Sequence, residues 1–167
     1  MYRRLDDFVH GFTAQREATE KIFEALTDES LDQRVTDGHR SLGELAWHIV
    51  VSIPEMMQRT GLPLSAVDPE SMPPAGAEAI RGAYAAVTGE LEDAISEQWD
   101  DDTLEELDDM YGQQWPRGLT LSILLNHEIH HRAQMTVLMR QAGLQVPGVF
   151  GPSKEEWGEF GMNAPAY

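Results

Sequence analysis

The sequence contains no cysteine, which excludes a disulfide framework, a thiolate nucleophile and a metal site built on sulfur. It also lacks any apolar run near the ~20 residues that a membrane-spanning helix needs, so we expect no membrane partner. The N-terminus turns acidic directly after Arg4 and has no apolar core typical of a signal peptide. The expected location is therefore the cytoplasm.

Positive charge is scarce, because 12 Lys and Arg residues face 29 Asp and Glu residues, for a net charge of −17. Such a surface repels a phosphate backbone and anionic lipid, so we expect no nucleic-acid partner and favour a small-molecule substrate. A length of 167 residues with 41% hydrophobic content suits one well-buried core. We predict a single domain over residues 1–167, with a core at about 4–143 and a tail at 144–167.

Apolar residues recur at helical spacing in four stretches, which predicts an all-α, four-helix bundle with a short C-terminal helix. The four stretches are approximately residues 4–27, 42–60, 80–95 and 119–142. The second begins at a capping box, in which Ser41 and Glu44 satisfy free backbone N–H groups at the helix start. A similar pattern at Ser153 and Glu156 predicts the short final helix around Trp157.

Three connecting regions have a different character. Residues 61–76 hold four prolines and predict a crossover loop, whereas residues 104–118 have no clear period and suit an extended lid or a hairpin. Eleven acidic residues and no basic residue lie between Glu90 and Asp109. This acidic stretch is typical of a solvated face, with a cation site as the second option.

Three of the six histidines lie within five residues of the fourth helical stretch. His127 and His131 are four residues apart, so on a helix they share one face. The apolar residues of the segment lie on the same face. A polar pair facing a core is costly unless it is hydrogen-bonded or bound to metal. His48 lies at or beside the core-facing side of the second helix. We therefore predict a divalent metal site with His48, His127 and His131 as ligands and an open coordination position.

Two alternatives stay open at this point. The histidines could be core residues bonded to backbone or water. The run His127-Glu128-Ile129-His130-His131 also matches H-E-x-x-H, the zinc peptidase motif in which the glutamate is a general base. In that interpretation Glu155, Glu156 or Glu159 would supply the third ligand.

The polar neighbours of the histidines are candidates for supporting roles. Glu128, Gln134 and Glu55 are the candidate catalytic groups, and with Glu44 they are also candidate hydrogen-bond partners that orient the metal ligands. Arg132 could bind an anionic substrate group, but an ion pair is the favoured role.

The other histidines have different expectations. His130 lies about 100° around the helix from His131, so we expect it to support the site or to contact a neighbouring helix. We place His10 and His39 on the surface.

Three segments resemble the DinB/YfiT-like metalloprotein superfamily. They are Leu45-Ala46-Trp47-His48-Ile49, the run His127-x-x-x-His131-Arg132-Ala133-Gln134, and Leu138-Met139-Arg140-Gln141-Ala142-Gly143. The resemblance covers roughly residues 5–150 and implies a four-helix bundle with a divalent metal on one histidine of helix 2 and two of the last long helix. Ala133 stands where the family usually has glycine, so a small residue is kept.

The resemblance implies a range of chemistries. Members include thiol S-transferases that use low-molecular-weight thiols such as bacillithiol or mycothiol, a thiol-dependent maleylpyruvate isomerase, and metal-dependent hydrolases. We expect an enzyme in which zinc or nickel, or else iron or manganese, lowers the pKa of a bound water or thiol to create a nucleophile. A homodimer is also expected. The alternative is a non-catalytic protein that binds metal or a small ligand.

Overall fold

The computed structural model describes residues 1–166, which form four long helices and one two-stranded sheet. The elements are α1 (Leu5–Glu24), α2 (Leu42–Arg59), α3 (Ala77–Gln98), β1 (Leu107–Met110), β2 (Gln113–Pro116) and α4 (Arg117–Gln141). Helices α1 and α2 each pack against both α3 and α4, so the four helices surround a common apolar core. None of the described helices has the length and apolarity needed to cross a bilayer.

The small sheet is the main correction to the all-α prediction. Its strands are antiparallel, with Leu107 opposite Pro116 and Met110 opposite Gln113. The turn between them uses Tyr111 at φ 59° and Gly112 at φ 81°. Positive φ at both central residues matches the twist of a two-residue hairpin. Of the two options for residues 104–118, the hairpin is therefore the observed one.

Helix α2, which carries His48, begins where its capping box predicts. The Ser41 hydroxyl accepts from the Glu44 backbone N–H at 3.2 Å, and the Glu44 carboxylate accepts from the Ser41 backbone N–H at 2.7 Å. The start of α2 is therefore determined by local side-chain chemistry. Further along, the helix continues through Pro54, which has no N–H to donate to the carbonyl one turn earlier.

Helix α4, which carries the other two histidines, packs closely against the N-terminal segment. The Tyr2 backbone N–H donates to the Gly118 carbonyl at 2.9 Å. A Cβ at position 118 would collide with the carbonyl oxygen of residue 2. Glycine at this position therefore allows the first turn of α4 to reach its place in the core.

The C-terminal region departs from the prediction of a final helix. It contains only a four-residue 3₁₀ turn, Trp157–Phe160, none of whose side chains is buried. Half of the predicted capping box forms, since Glu156 accepts from the Ser153 backbone N–H at 2.8 Å. Without an apolar face to bury, four residues do not extend into an α-helix. Tyr167, the last residue of the predicted tail, lies outside the described residues.

The acidic stretch is more structural than its composition predicts. Glu90 accepts from two backbone N–H groups of the crossover loop, Glu92 pairs with Arg16 at 2.6 Å, and Asp108 pairs with Arg117 at 2.9 Å. Within the described residues, no group of three or more metal-ligating side chains forms in this stretch. These carboxylates thus tie the loops to the helices.

Candidate metal centre

Three imidazoles converge where α2 packs against α4. The Nε2 atoms of His48 and His127 are 3.1 Å apart, and those of His131 and His127 are also 3.1 Å apart. One ligand atom from each ring lies within 4.8 Å of the others. The tertiary structure therefore brings together the three histidines that the sequence singles out, from segments about 80 residues apart.

The donor set suits a divalent cation. Two nitrogens held about 2.0–2.1 Å from one tetrahedral ion would lie about 3.4 Å apart, which is close to the observed separations. In addition, the Nε2 atom of His127 faces two other ring nitrogens, and a neutral ring can share only one hydrogen through that atom. At least one close nitrogen pair thus has no hydrogen between its atoms. A shared cation would satisfy all three nitrogens.

The surroundings keep the imidazoles neutral. Partial burial lowers the pKa of His48 to about 4, and the positive charge of Arg40 acts in the same direction. Burial likewise lowers the pKa of His127 to about 4, with further contributions from His131 and His130, and burial lowers the pKa of His131. At neutral pH each ring therefore has a free lone pair, which is the form that binds metal.

Gln134 orients one of the three rings. The Nδ1 atom of His131 lies 2.8 Å from the Gln134 side-chain oxygen, and the Gln134 amide nitrogen lies 3.0 Å from Nε2 of His130. An amide oxygen only accepts, so Nδ1 of His131 carries the hydrogen and its Nε2 lone pair points to the cluster. His130 thus supports the site indirectly, through Gln134.

The two candidate glutamates on α2 have different surroundings. Glu55 accepts from the Tyr111 hydroxyl at 2.7 Å and pairs with Arg59 at 2.7 Å, and its charge acts on His127 by raising that pKa against the dominant effect of burial. Glu44 is committed to the start of α2 and to Arg34 at 2.7 Å. Of the two, Glu55 is the carboxylate that acts electrostatically on the cluster.

Glu128 and Arg132 belong to a separate buried network. One Glu128 oxygen accepts from Thr19 at 2.5 Å and from Tyr84 at 2.7 Å, and lies 4.0 Å from Arg132. Arg132 also donates to the Gln15 side chain at 2.7 Å. With only 2% of its surface exposed, Glu128 is not placed as the general base of an H-E-x-x-H peptidase. The favoured ion-pair role of Arg132 agrees with this geometry.

The C-terminal glutamates proposed as alternative third ligands lie elsewhere. Glu155 pairs with Arg140 at 2.8 Å, Glu156 accepts from backbone N–H groups, and Glu159 is exposed. None of them joins the three-histidine group, whose third member is His48. His10 and His39 are exposed, as predicted for surface residues.

A cleft of about 470 Å³ opens beside the cluster. It is lined by Val35, Thr36, His39, Arg40, Leu45, His131, Gln134 and Leu138. The segment before α2 forms one wall, and α4 forms the other through His131 and Gln134. Sequence patterns do not reveal the Arg40 side of this cleft, because an irregular connection has no periodic signal and its position depends on tertiary packing.

Fold and cluster together define a helical protein with a three-histidine group that could bind a metal ion. The DinB family model matches residues 1–162, so the chain belongs to the DinB family, which confirms the resemblance stated above. The chain is 43% identical over 165 residues to a protein of Bacillus subtilis (strain 168) described as "Uncharacterized protein YrdA", and the match covers 99% of both chains.

Two solved structures are similar to this fold. A DinB-like protein from Bacillus cereus ATCC 10987 superposes with a TM-score of 0.85 at 41% identity, over 90% of this chain and 100% of the other. The DinB-like protein YjoA from Bacillus subtilis gives a TM-score of 0.68 at 19% identity, over 86% and 96% of the two chains. At that identity YjoA supports the fold alone.

Proposed function

We propose that this protein is a metal-dependent enzyme that acts on a small molecule, with His48, His127 and His131 as the ligands of one divalent ion. The observation that carries the proposal is the convergence of three neutral imidazole nitrogens with close pairs at 3.1 Å. The favoured reactions are thiol S-transfer and hydrolysis, because these are the chemistries that the family resemblance implies.

The residues of the site have separable tasks. When bound, the ion would act as a Lewis acid that makes a water or a thiol nucleophilic at neutral pH. His48, His127 and His131 hold their lone pairs towards one point, and Gln134 keeps the hydrogen of His131 on Nδ1. Glu55 is the proposed catalytic carboxylate of the site, and its two oxygens accept from Tyr111 and Arg59.

The number of ligands favours an enzyme over a structural metal site. Structural zinc sites are closed by four protein ligands, whereas catalytic sites keep one position open. Among residues 1–166, the group of His, Cys, Asp and Glu side chains that could share an ion has three members. The neighbouring cleft reaches the group through His131.

Metal content tests the ligand assignment. Imidazole ligands suit zinc, nickel and iron, whereas manganese prefers oxygen ligands. We expect about one equivalent of metal in the wild type by elemental analysis and a loss of most of it in His48→Ala and in His131→Ala. His10→Ala is the matched control, because His10 is exposed on α1 and outside the group. Full metal content in both cluster variants would contradict the assignment.

A substrate panel tests the reaction. We expect the metal-loaded wild type to conjugate a low-molecular-weight thiol to a small electrophile, and His131→Ala to lose this activity. Turnover of model esters or amides without any thiol would instead support the hydrolase. A protein that binds metal but turns over neither class would be a non-catalytic binding protein.

We also propose that the chain is one domain that forms a homodimer. One contiguous cluster holds nearly all buried apolar side chains of the described residues, which supports a single domain. Ile123 and Val137 are 36% and 52% exposed on α4, where a second copy could cover them. Light scattering should give twice the 18.7 kDa chain mass. A mass of one chain would contradict the dimer.

A further inference from the structure

Arg40 is a cation without an acidic partner, placed at the cleft. Seven of the 12 Lys and Arg side chains lie at ion-pair distance from a carboxylate within the described residues. The five others are Arg3, Lys21, Arg40, Arg81 and Lys154. Of these five, Arg40 lines the cleft beside the imidazoles. In a chain with a net charge of −17, an arginine at the cleft that pairs with no carboxylate of the described residues is available to bind an anionic ligand.

The described lining of the cleft carries a basic residue and no acidic one, in a chain of net charge −17. Among the residues described, the eight that line it include Arg40 and no Asp or Glu. Arg40 and His131 both line this cleft, so the guanidinium and one of the three imidazoles face the same space. A divalent ion on the imidazoles would add positive charge at the same place. The cleft is thus suited to an anion.

The cleft also has an apolar side. Leu45 and Leu138 are buried with their side chains at its wall, and Val35 contributes an exposed apolar surface. A volume of about 470 Å³ falls within the usual range for small-molecule sites. The combination of one guanidinium with aliphatic walls favours a small amphipathic anion over inorganic phosphate.

We propose that Arg40 binds the carboxylate of a small substrate or thiol co-substrate whose aliphatic part lies along Leu45 and Leu138. The planar guanidinium fork matches a carboxylate through two parallel hydrogen bonds. The other end of the ligand would face the imidazoles, and the reaction there rests on the proposed function. Carboxylate binding itself requires Arg40 and not the metal.

Calorimetric titration with a matched pair of thiols tests the proposal. The probes are 3-mercaptopropionate and 3-mercapto-1-propanol, which have the same length and differ in the carboxylate. We expect wild-type protein to bind the carboxylate about 10-fold or more tightly than the alcohol, in keeping with a charge-assisted hydrogen bond. The preference should weaken as NaCl is raised, because the pair is partly exposed.

Three variants test whether Arg40 is the source of the preference for the carboxylate probe. Arg40→Gln should bring the two affinities within about 3-fold, whereas Arg40→Lys should keep part of the difference because it keeps the charge. Arg3→Gln, which removes another exposed and unpaired charge that does not line the cleft, should behave like the wild type. Arg40 is exposed in a connection before α2, and matched thermal melts would show that each variant is folded.

Metal-loaded and chelator-treated proteins separate this inference from the proposed function. A carboxylate preference that persists in Arg40→Gln, or is absent from the wild type in both metal states, would overturn the inference. If wild-type protein took up no metal but its chelator-treated form still preferred the carboxylate through Arg40, the metal-dependent function would fail and the anion site would stand.

Discussion

Helix α4 carries two pairs of side chains, each pair four residues apart, that face different neighbours. His127 and His131 face α2 and His48, whereas Glu128 and Arg132, each one residue later, face α1 and α3. Successive residues on a helix are turned by about 100°, so a shift of one residue changes every neighbour. One helix thus contributes to two polar clusters with different chemistry.

The two clusters differ in how their hydrogen-bonding groups are matched. In the Glu128 network, Thr19 and Tyr84 donate to one carboxylate oxygen, the other oxygen has no hydrogen-bond partner among the described residues, and the guanidinium of Arg132 donates to acceptors on α1. In the imidazole cluster, ring nitrogens face each other with too few hydrogens to link them. Removing one member of the buried Glu128–Arg132 pair would leave an uncompensated charge in the core, whereas unmatched lone pairs at a cleft suit a ligand.

The largest expected effect is on the stability of the matched network. Glu128→Ala leaves Arg132 buried without its carboxylate and the Tyr84 hydroxyl without its acceptor, so we expect a loss of about 3–5 kcal/mol in the free energy of unfolding. Urea denaturation measures it. Glu155→Ala, which breaks the partly exposed pair with Arg140, is the control and should cost less than about 1 kcal/mol. Equal costs would remove the distinction between the two kinds of ion pair.

Metal addition should stabilise through the imidazole cluster alone. Zinc at about 100 times its dissociation constant should raise the free energy of unfolding of the wild type by about 2.7 kcal/mol. His48→Ala should show almost none of this increase, and His10→Ala all of it. The measurement is urea denaturation of chelator-treated protein with and without zinc. A full increase in His48→Ala would mean that the ion binds elsewhere.

Removing the support of one ligand should have an intermediate effect. Gln134→Leu leaves Nδ1 of His131 without its acceptor and frees the ring to turn, so we expect metal affinity to fall by about 10- to 100-fold. Competition with a chromogenic chelator gives the affinity. Gln141→Leu, an exposed position two turns further along α4, should leave it unchanged. An unaltered affinity in Gln134→Leu would show that packing alone orients the ring.

The smallest effect is the pH dependence of the metal-free protein. Folding lowers the pKa of His48 and His127 from an ordinary 6.5 to about 4. Between these two pH values, the two rings bind more protons in the unfolded chain than in the folded one. The stability that they contribute is therefore fully present above about pH 6.5 and is lost as the pH falls towards 4. Because both rings are partly exposed, the fall is modest. Urea denaturation at pH 7.5, 5.5 and 4.5 should give a shallower fall for His48→Ala, and identical slopes would contradict the assigned pKa shifts.

Local signals predicted most of the secondary structure. The capping box at Ser41 predicted the start of α2, and apolar periodicity located all four helices. Helix α1 ended at Glu24, about three residues before its predicted end, because the chain tightens into a turn in which the Leu26 N–H donates to the Phe23 carbonyl. The final helix was reduced to a 3₁₀ turn because it has no apolar face to bury.

The candidate site was predictable only in part. The spacing of His127 and His131 is a property of the helix, so sequence alone singled them out, and the phase of α2 added His48. Glu128 was a candidate for the same site because it is adjacent in sequence, but the structure buries it against Thr19 and Tyr84. Helical phase turns Glu128 about 100° away from His127, but the partners that it meets in that direction depend on tertiary packing.

By itself, the sequence determined the helices, the family and the identity of the three imidazoles, because helical period and side-chain chemistry are local properties. Only the tertiary structure decided that Glu128 stabilises the core instead of joining the imidazoles, and that Arg40 lines the cleft. Both depend on which distant segments pack together. Contacts across about 80 to 110 residues of chain follow from the burial of the whole apolar core, and no short stretch of sequence encodes them.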